Sequence, residues 1–206
     1  MLARVGIRMT NEILSKTAET SAELHPLIRD RWSPRIFDST HSLSLEEVQA
    51  LGEAFRWGAS SYNEQPWHVV FARTGSSFFQ EVSEGLVEFN QKWASHASVL
   101  VVVLANRLKD GSPRDKAATF FDAGLASGQL VIQAESMGLK AHYMAGILHD
   151  ALATTVAATD RDVVTVIAIG KQGGLADQTE EIIARELTPR TRQEPSAIYT
   201  IDSKIS

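Results

Sequence analysis

Apolar positions along the chain alternate between a helical period and continuous strand-like runs. The clearest helix signal begins at Ser44, an N-cap with Glu47 three residues on at the capping-box position. Leu43 before the cap and Val48 after it are placed as a hydrophobic staple. Leu45, Val48, Leu51 and Phe55 then recur at helical spacing, and Gly58 is expected to stop the helix. Residues 59–66 read as a loop, 67–72 as a strand and 76–93 as a helix. Residues 98–105 are a nearly unbroken apolar run, the signature of a strand buried on both faces. Lys116 to Met137 is a long helix, apolar almost all round and rich in Ala, Gly and Ser, so burial with close neighbours is expected. Gly138 ends it. Strand 140–144, a loop at Ala145-Gly146, helix 149–158 and buried strand 163–169 follow. Beyond Gly170 come a loop, a short helix and an extended tail with Pro189 and Pro195. At the front, residues 10–30 are a polar helix candidate ending near Pro26, and Arg31–Phe37 is a compact segment. Alternating strands and helices predict an α+β or α/β sandwich. Nothing resembles a linker, so one domain over 1–206 is expected, with 1–28 as an N-terminal extension or helix.

Composition narrows the chemistry. The 206 residues contain no cysteine, which removes disulfides, thiolate nucleophiles and Cys-based zinc sites. Any redox chemistry must then be carried by a cofactor. The net charge of −5 argues against broad nucleic-acid or anionic-membrane binding. No apolar run approaches a membrane span and the first residues lack a secretory pattern, so a cytoplasmic protein is expected, with Met9 as a candidate true start. There is no P-loop, no G-x-G-x-x-G, no H-E-x-x-H and no G-x-S-x-G elbow, so no metal ligands are assigned. Gly170-Lys-Gln-Gly-Gly174 has the wrong spacing for a nucleotide loop and reads as a surface turn.

Three polar clusters remain. In Arg31-x-Ser33-x-Arg35, alternate residues of an extended segment point the same way, so two guanidiniums and a hydroxyl can share one face. That makes an anion clamp, or else solvated arginines beside a turn. Ser60-Ser61-Tyr62-Asn63-Glu64-Gln65-Pro66-Trp67 brings hydroxyls and amides into one loop, suited to a polar heterocycle or simply to turn chemistry. Arg190-x-Arg192 by itself reads as a solvated tail.

In this order the segments resemble the nitroreductase family of flavin mononucleotide (FMN) enzymes. The carriers are Arg31-Trp-Ser-Pro-Arg-Ile-Phe37, Trp57-Gly-Ala-Ser-Ser-Tyr-Asn-Glu-Gln-Pro-Trp67, Asn90-Gln-Lys-Trp93, the Ala-rich helix with Asp122 and Gln129, Met-Gly-Leu139, and the closing Arg190-x-Arg192. Trp32, Gly58-Ala59 and Ala145 depart from the pattern, where family members carry Arg, Pro and in some cases Glu.

The resemblance implies a three-layer sandwich, a central mostly antiparallel sheet flanked by helices, in an intertwined homodimer with two FMN sites. Arg31, Ser33 and Arg35 would hold phosphate, ribityl and pyrimidine edge, with Arg190 and Arg192 adding to the phosphate end and Asn90 meeting the flavin edge. Ser60, Ser61 and Asn63 would come from the other subunit, as would backbone around Ala145 and Gly146, with Gln65 and Trp67 as supports. The flavin carries the chemistry, so no side chain is assigned as catalytic. NAD(P)H would enter an open slot transiently, which accounts for the missing dinucleotide fingerprint. A small acceptor such as a nitroaromatic or quinone would follow in a ping-pong cycle, under a lid near residues 106–116. Enone reduction, dehalogenation and flavin breakdown are rival tasks on the same fold. A flavin-storage protein without turnover and a flavin-free interaction domain are rivals of another class.

Overall fold

The computed structural model describes residues 13–176, 178–202 and 204. Among these the helices are α1 (Pro26–Arg29), α2 (Leu45–Arg56), α3 (Ser77–Glu84), α4 (Glu88–Ala94), α5 (Lys116–Ser136), α6 (His149–Thr155) and α7 (Glu180–Leu187). The strands are β1 (Trp67–Arg73), β2 (Val99–Asn106), β3 (Leu108–Lys109), β4 (Ser112–Pro113), β5 (Lys140–Met144) and β6 (Arg161–Gly170). Four of them form one sheet in the order β1-β2-β6-β5, and every neighbouring pair is antiparallel. The short β3 and β4 pair with each other as a hairpin. No helix of the described residues is long and apolar enough to cross a membrane.

The architecture is α+β in three layers, as the sequence leads one to expect. Strand β2 explains why. Val99, Val101 and Val103 point to one face and pack with α2 and α5. Leu100, Val102 and Leu104 point to the other and pack with α3, α4, α6 and α7. A strand at the centre of the sheet must be apolar on both faces, which is what the unbroken run encodes. Strand β6 does the same through Ile167 and Ile169 on one side and Val166 and Ala168 on the other. Burying each such side chain contributes about 1.5–3 kcal/mol, so the two central strands anchor both helical layers.

Helix α2 has both halves of its capping box, Ser44 and Glu47 bonding each other's backbone N–H. Leu43 and Val48 are buried in one cluster beside it. Gly58 is needed for a different reason from the one expected. Its φ is not positive; a Cβ there would stand 2.5 Å from Ala126 Cα, so glycine allows the end of α2 to touch α5.

Three expectations need correction. Residues 76–93 form two helices rather than one. Between them, Leu86 bridges to Ile147 and Val87 N–H donates to Gly146 C=O, so tertiary pairing overrides the helical period. Gly85 at the break leaves no room for a side chain against Leu152. The polar helix over 10–30 is also absent: residues 13–20 are not helical, and α1 starts only at Pro26. A polar segment has no apolar stripe to bury, and a lone short helix is marginal in water. Instead the arm is tied down along its length. Leu14 C=O accepts from Gln172, Lys16 Nζ donates to Thr188 C=O, and Ala18 N–H donates to Arg29 C=O. Residues 1–12, with the candidate start Met9 among them, lie outside the described residues. Finally, α5 is buried on one side only. Ala123, Ala126, Leu130 and Ala134 are in the core, while Phe121 and Leu125 are exposed on the single chain.

Candidate functional site

The segment Arg31–Phe37 runs beside β5, the edge strand on one side of the sheet. Its burial alternates: Trp32, Pro34 and Ile36 are buried, while Arg31, Ser33 and Arg35 are half-buried. The three polar residues therefore share a side, and Arg31 Nη1 donates to Ser33 Oγ at 3.3 Å. The Arg35 backbone N–H donates to the Glu186 carboxylate of α7. Arg35 Nε is buried and, among the described residues, has no hydrogen-bond partner. A buried guanidinium N–H left unpaired is costly, and such groups mark positions where a further acceptor is wanted. Burial lowers the Arg35 pKa, with Glu186 pulling the other way. Burial likewise raises the Glu186 carboxyl.

Arg190 joins this edge from the C-terminal side. Its Nη1 donates to Lys16 C=O at 3.0 Å and to Arg29 C=O at 2.7 Å. Its pKa is lowered by burial first, then by the charges of Arg31 and Arg192. Asp30 and Glu135 pull it back up, so the like charges at this edge are only partly offset, an arrangement that an anion relieves further. Arg192 is exposed, and among the described residues it donates to the neighbouring Thr191 C=O.

Asn90, on α4, meets the loop that follows β5. Its Nδ2 donates to Gly146 C=O at 2.9 Å. A Cβ on Gly146 would stand 2.8 Å from both Asn90 Nδ2 and Val87 Cγ2, so glycine permits this contact. Ala145 is exposed at the end of the strand. Asn90, Ala145 and Gly146 are therefore brought together, on the same strand edge as the arginines.

The loop holding Ser60, Ser61, Asn63 and Gln65 lies elsewhere, ahead of β1 on the opposite edge. Three of its residues other than glycine have left-handed backbones: Tyr62 (φ 51°), Asn63 (φ 55°) and Gln65 (φ 49°). Such conformations persist only when surroundings enforce them, and they concentrate at functional sites. Here Ser60 Oγ accepts from Gln65 N–H at 3.0 Å, and Gln65 Nε2 donates to Asn63 C=O at 2.9 Å. The buried Asp122 of α5 accepts from Ser61 N–H at 3.2 Å. Glu64 pairs with Arg114 and Lys109, which fastens the β3–β4 hairpin, in the region expected to be a lid, to the loop. Trp67 packs edge-on against Phe55. Among the described residues no hydrogen bond or ion pair joins this loop to the arginine edge. Within one chain the expected site is therefore in two parts.

His142 and Glu186, which both contact the Arg31–Arg35 segment, are not among the residues the motifs single out. One signal for Glu186 was present: it follows Ile182 by four residues, an acid on the apolar stripe of α7.

Comparison with known proteins bears on all of these residues. The model of the nitroreductase family matches residues 28–171. An oxygen-insensitive NADPH nitroreductase of Helicobacter acinonychis (strain Sheeba) is 36% identical over 77 residues. That stretch is 37% of this chain, and only 36% of the relative's length is matched. The crystal structure of an oxidoreductase containing FMN superposes with a TM-score of 0.84 at 31% identity, covering 91% of this chain and 96% of that one. A candidate nitroreductase from Exiguobacterium sibiricum 255-15, solved in complex with FMN, has a TM-score of 0.71 at 20% identity, with 90% and 100% covered. At that identity the likeness speaks for the fold alone.

Proposed function

The chain belongs to the nitroreductase family, and from that footing we propose that it is an FMN-dependent NAD(P)H oxidoreductase working as one domain in a homodimer. Its acceptors are nitroaromatics, quinones or similar small molecules. The observation that carries the proposal is the β5 edge: crowded Arg31, Arg190 and Arg192 beside an Arg35 Nε that is buried and unpaired. A phosphate dianion answers both features, since it offers several acceptor oxygens and relieves the like-charge crowding. The donor set therefore fits FMN.

Arg31, Ser33, Arg35, Arg190 and Arg192 would hold its phosphate, ribityl and pyrimidine groups. Asn90, Ala145 and Gly146 would line the flavin edge from the same strand. The resemblance assigned Ala145 and Gly146 to the other subunit; their place beside Asn90 and the arginines favours the same chain instead. Ser60, Ser61 and Asn63 would come from the second copy. When bound, FMN supplies hydride acceptance from NAD(P)H and hydride donation to the acceptor that next occupies the same slot. The protein's part is to orient the cofactor, surround it with fixed positive charge and keep one face open.

The second copy has a surface waiting for it. Phe121 (66% exposed) and Leu125 lie on the open side of α5, where Gly124 and Gly128 have nothing packed on them. Trp57 (74%) and Tyr62 (96%) are exposed next to the Ser60–Gln65 loop. Large aromatic and aliphatic groups massed this way mark an association surface. Its position at the loop edge favours a site completed between copies.

A visible absorption spectrum after adding excess FMN and desalting tests the proposal. Retained flavin absorbance, bleached by NAD(P)H and restored by a quinone, is expected. Colourless protein after desalting contradicts it.

A further inference from the structure

From Ile36 onward the arginine segment is held by backbone pairing. Ile36 C=O accepts from Gly173 N–H, Phe37 bridges Gln172, and Asp38 N–H donates to Lys171 C=O. One residue earlier that pairing has stopped, yet this is where the cofactor-facing side chains are placed. A single peptide unit, Pro34–Arg35, takes over the work. Its C=O is 2.9 Å from His142 Nδ1 of β5. Its N–H donates to the carboxylate of Glu186 on α7. A carbonyl only accepts, so His142 carries its proton on Nδ1. Burial holds the His142 pKa down at about 4, so the ring stays neutral at pH 7 and keeps that tautomer. The ring is braced by Trp93, 4.6 Å away between centroids.

We infer that His142 and Glu186 are positioning residues for cofactor binding, gripping the two polar atoms of the Pro34–Arg35 peptide and so aiming Ser33 and Arg35. The inference rests on the FMN reading of this edge. The proline ring already fixes φ at residue 34. A peptide plane bonded at both ends then fixes ψ of Pro34 and φ of Arg35. Those torsions set the direction of the Arg35 side chain, whose Nε is the buried unpaired donor. The two grips come from different layers, an edge strand and the last helix, 108 and 151 residues distant along the chain. Neither side chain needs to touch the cofactor. Glu186 is 1% exposed, and the charges of Lys16 and Arg35 act on its carboxylate.

The test uses full-length protein and FMN itself, titrated by quenching of FMN fluorescence. Alongside, the exchange rate of the Arg35 amide is read by NMR without cofactor. Glu186→Leu should weaken FMN binding about tenfold or more, because Arg35 N–H loses its acceptor. His142→Phe keeps a ring against Trp93 but loses the donor, and should weaken binding about tenfold. Glu186→Gln keeps an acceptor oxygen without the charge, and should stay within about threefold of wild type. Arg35 amide exchange should accelerate in Glu186→Leu and not in Glu186→Gln. Wild-type affinity in both Glu186→Leu and His142→Phe overturns the inference. So does a Glu186→Gln protein as weak as Glu186→Leu, which would assign the effect to charge. Wild-type protein that binds no FMN defeats the proposed function instead; Arg35 exchange unchanged in Glu186→Leu would then overturn the grip separately.

Discussion

The two edges of the central sheet bring polar groups to the surface by opposite means. At the β5 edge, the Arg31–Arg35 segment is half-buried, and side chains of distant elements, the buried Glu186 and the half-buried His142, hold its backbone. At the β1 edge, the Ser60–Gln65 loop stands out in solvent with three left-handed residues, held mainly by its own side chains and by Asp122. The first arrangement fixes charge in place before any ligand arrives. The second presents a rigid loop outward, next to exposed Trp57, Tyr62, Phe121 and Leu125. The contrast is what the proposed homodimer requires: one chain carries an arginine half-site and a projecting loop half-site, which would complement each other between copies rather than within one.

The hardest blow to this contrast is Phe121→Glu on the open side of α5. A charge trapped unpaired in an association surface costs about 3–5 kcal/mol, so the dimer should dissociate about a hundredfold more readily or worse. Sedimentation at micromolar concentration would show monomer, and FMN retention should fall with it. Unchanged dimer would place the partner on another surface.

Acid sharpens the contrast from the other side. His142 is held down at about 4 by burial, against an ordinary 6.5. The unfolded chain therefore binds the extra proton first as pH falls. The stability contributed by neutral His142 is complete above pH 6.5 and is lost progressively toward pH 4, roughly 3 kcal/mol at most. His68 on β1, also lowered by burial, acts in the same direction. Urea unfolding of wild type and His142→Phe between pH 7 and 4 separates the two, and the variant should show the flatter profile.

Arg35→Ala and Asn63→Ala then probe one edge each. Removing Arg35 deletes charge-assisted contacts and should weaken FMN binding by about 1.5–3 kcal/mol with the dimer intact. Removing the Asn63 side chain should cost about 1 kcal/mol of FMN binding, since neutral hydrogen bonds are weaker. Isothermal titration with FMN would rank them; an Asn63 effect equal to zero removes the loop from the site.

Much of the fold was legible along the chain because its signals are local. The Ser44–Glu47 capping box and the apolar run of β2 each declare themselves within a few residues. The failures came where distant contacts decided. Nothing near Gly85 announces that Leu86 will pair with Ile147, and nothing near Leu14 announces its bond to Gln172. The site shows the same division. Period-two spacing indicated that Arg31, Ser33 and Arg35 share a side, and their burial agrees. The residues that aim them, His142 and Glu186, lie more than a hundred positions away, beyond what spacing can express.

The claim that each site is shared between copies is tested most directly by mixing the two edge variants. Arg35→Ala and Asn63→Ala proteins are unfolded together, refolded and assayed for retained FMN after desalting. In a mixed dimer, one site combines both defects and the other pairs an intact arginine edge with an intact loop. Recovery of tight FMN binding in a fraction of the sites, with total retention above the average of the two variants refolded alone, is predicted. A mixture that retains no more FMN than the average of the two would contradict the account and place both edges' contributions within a single chain.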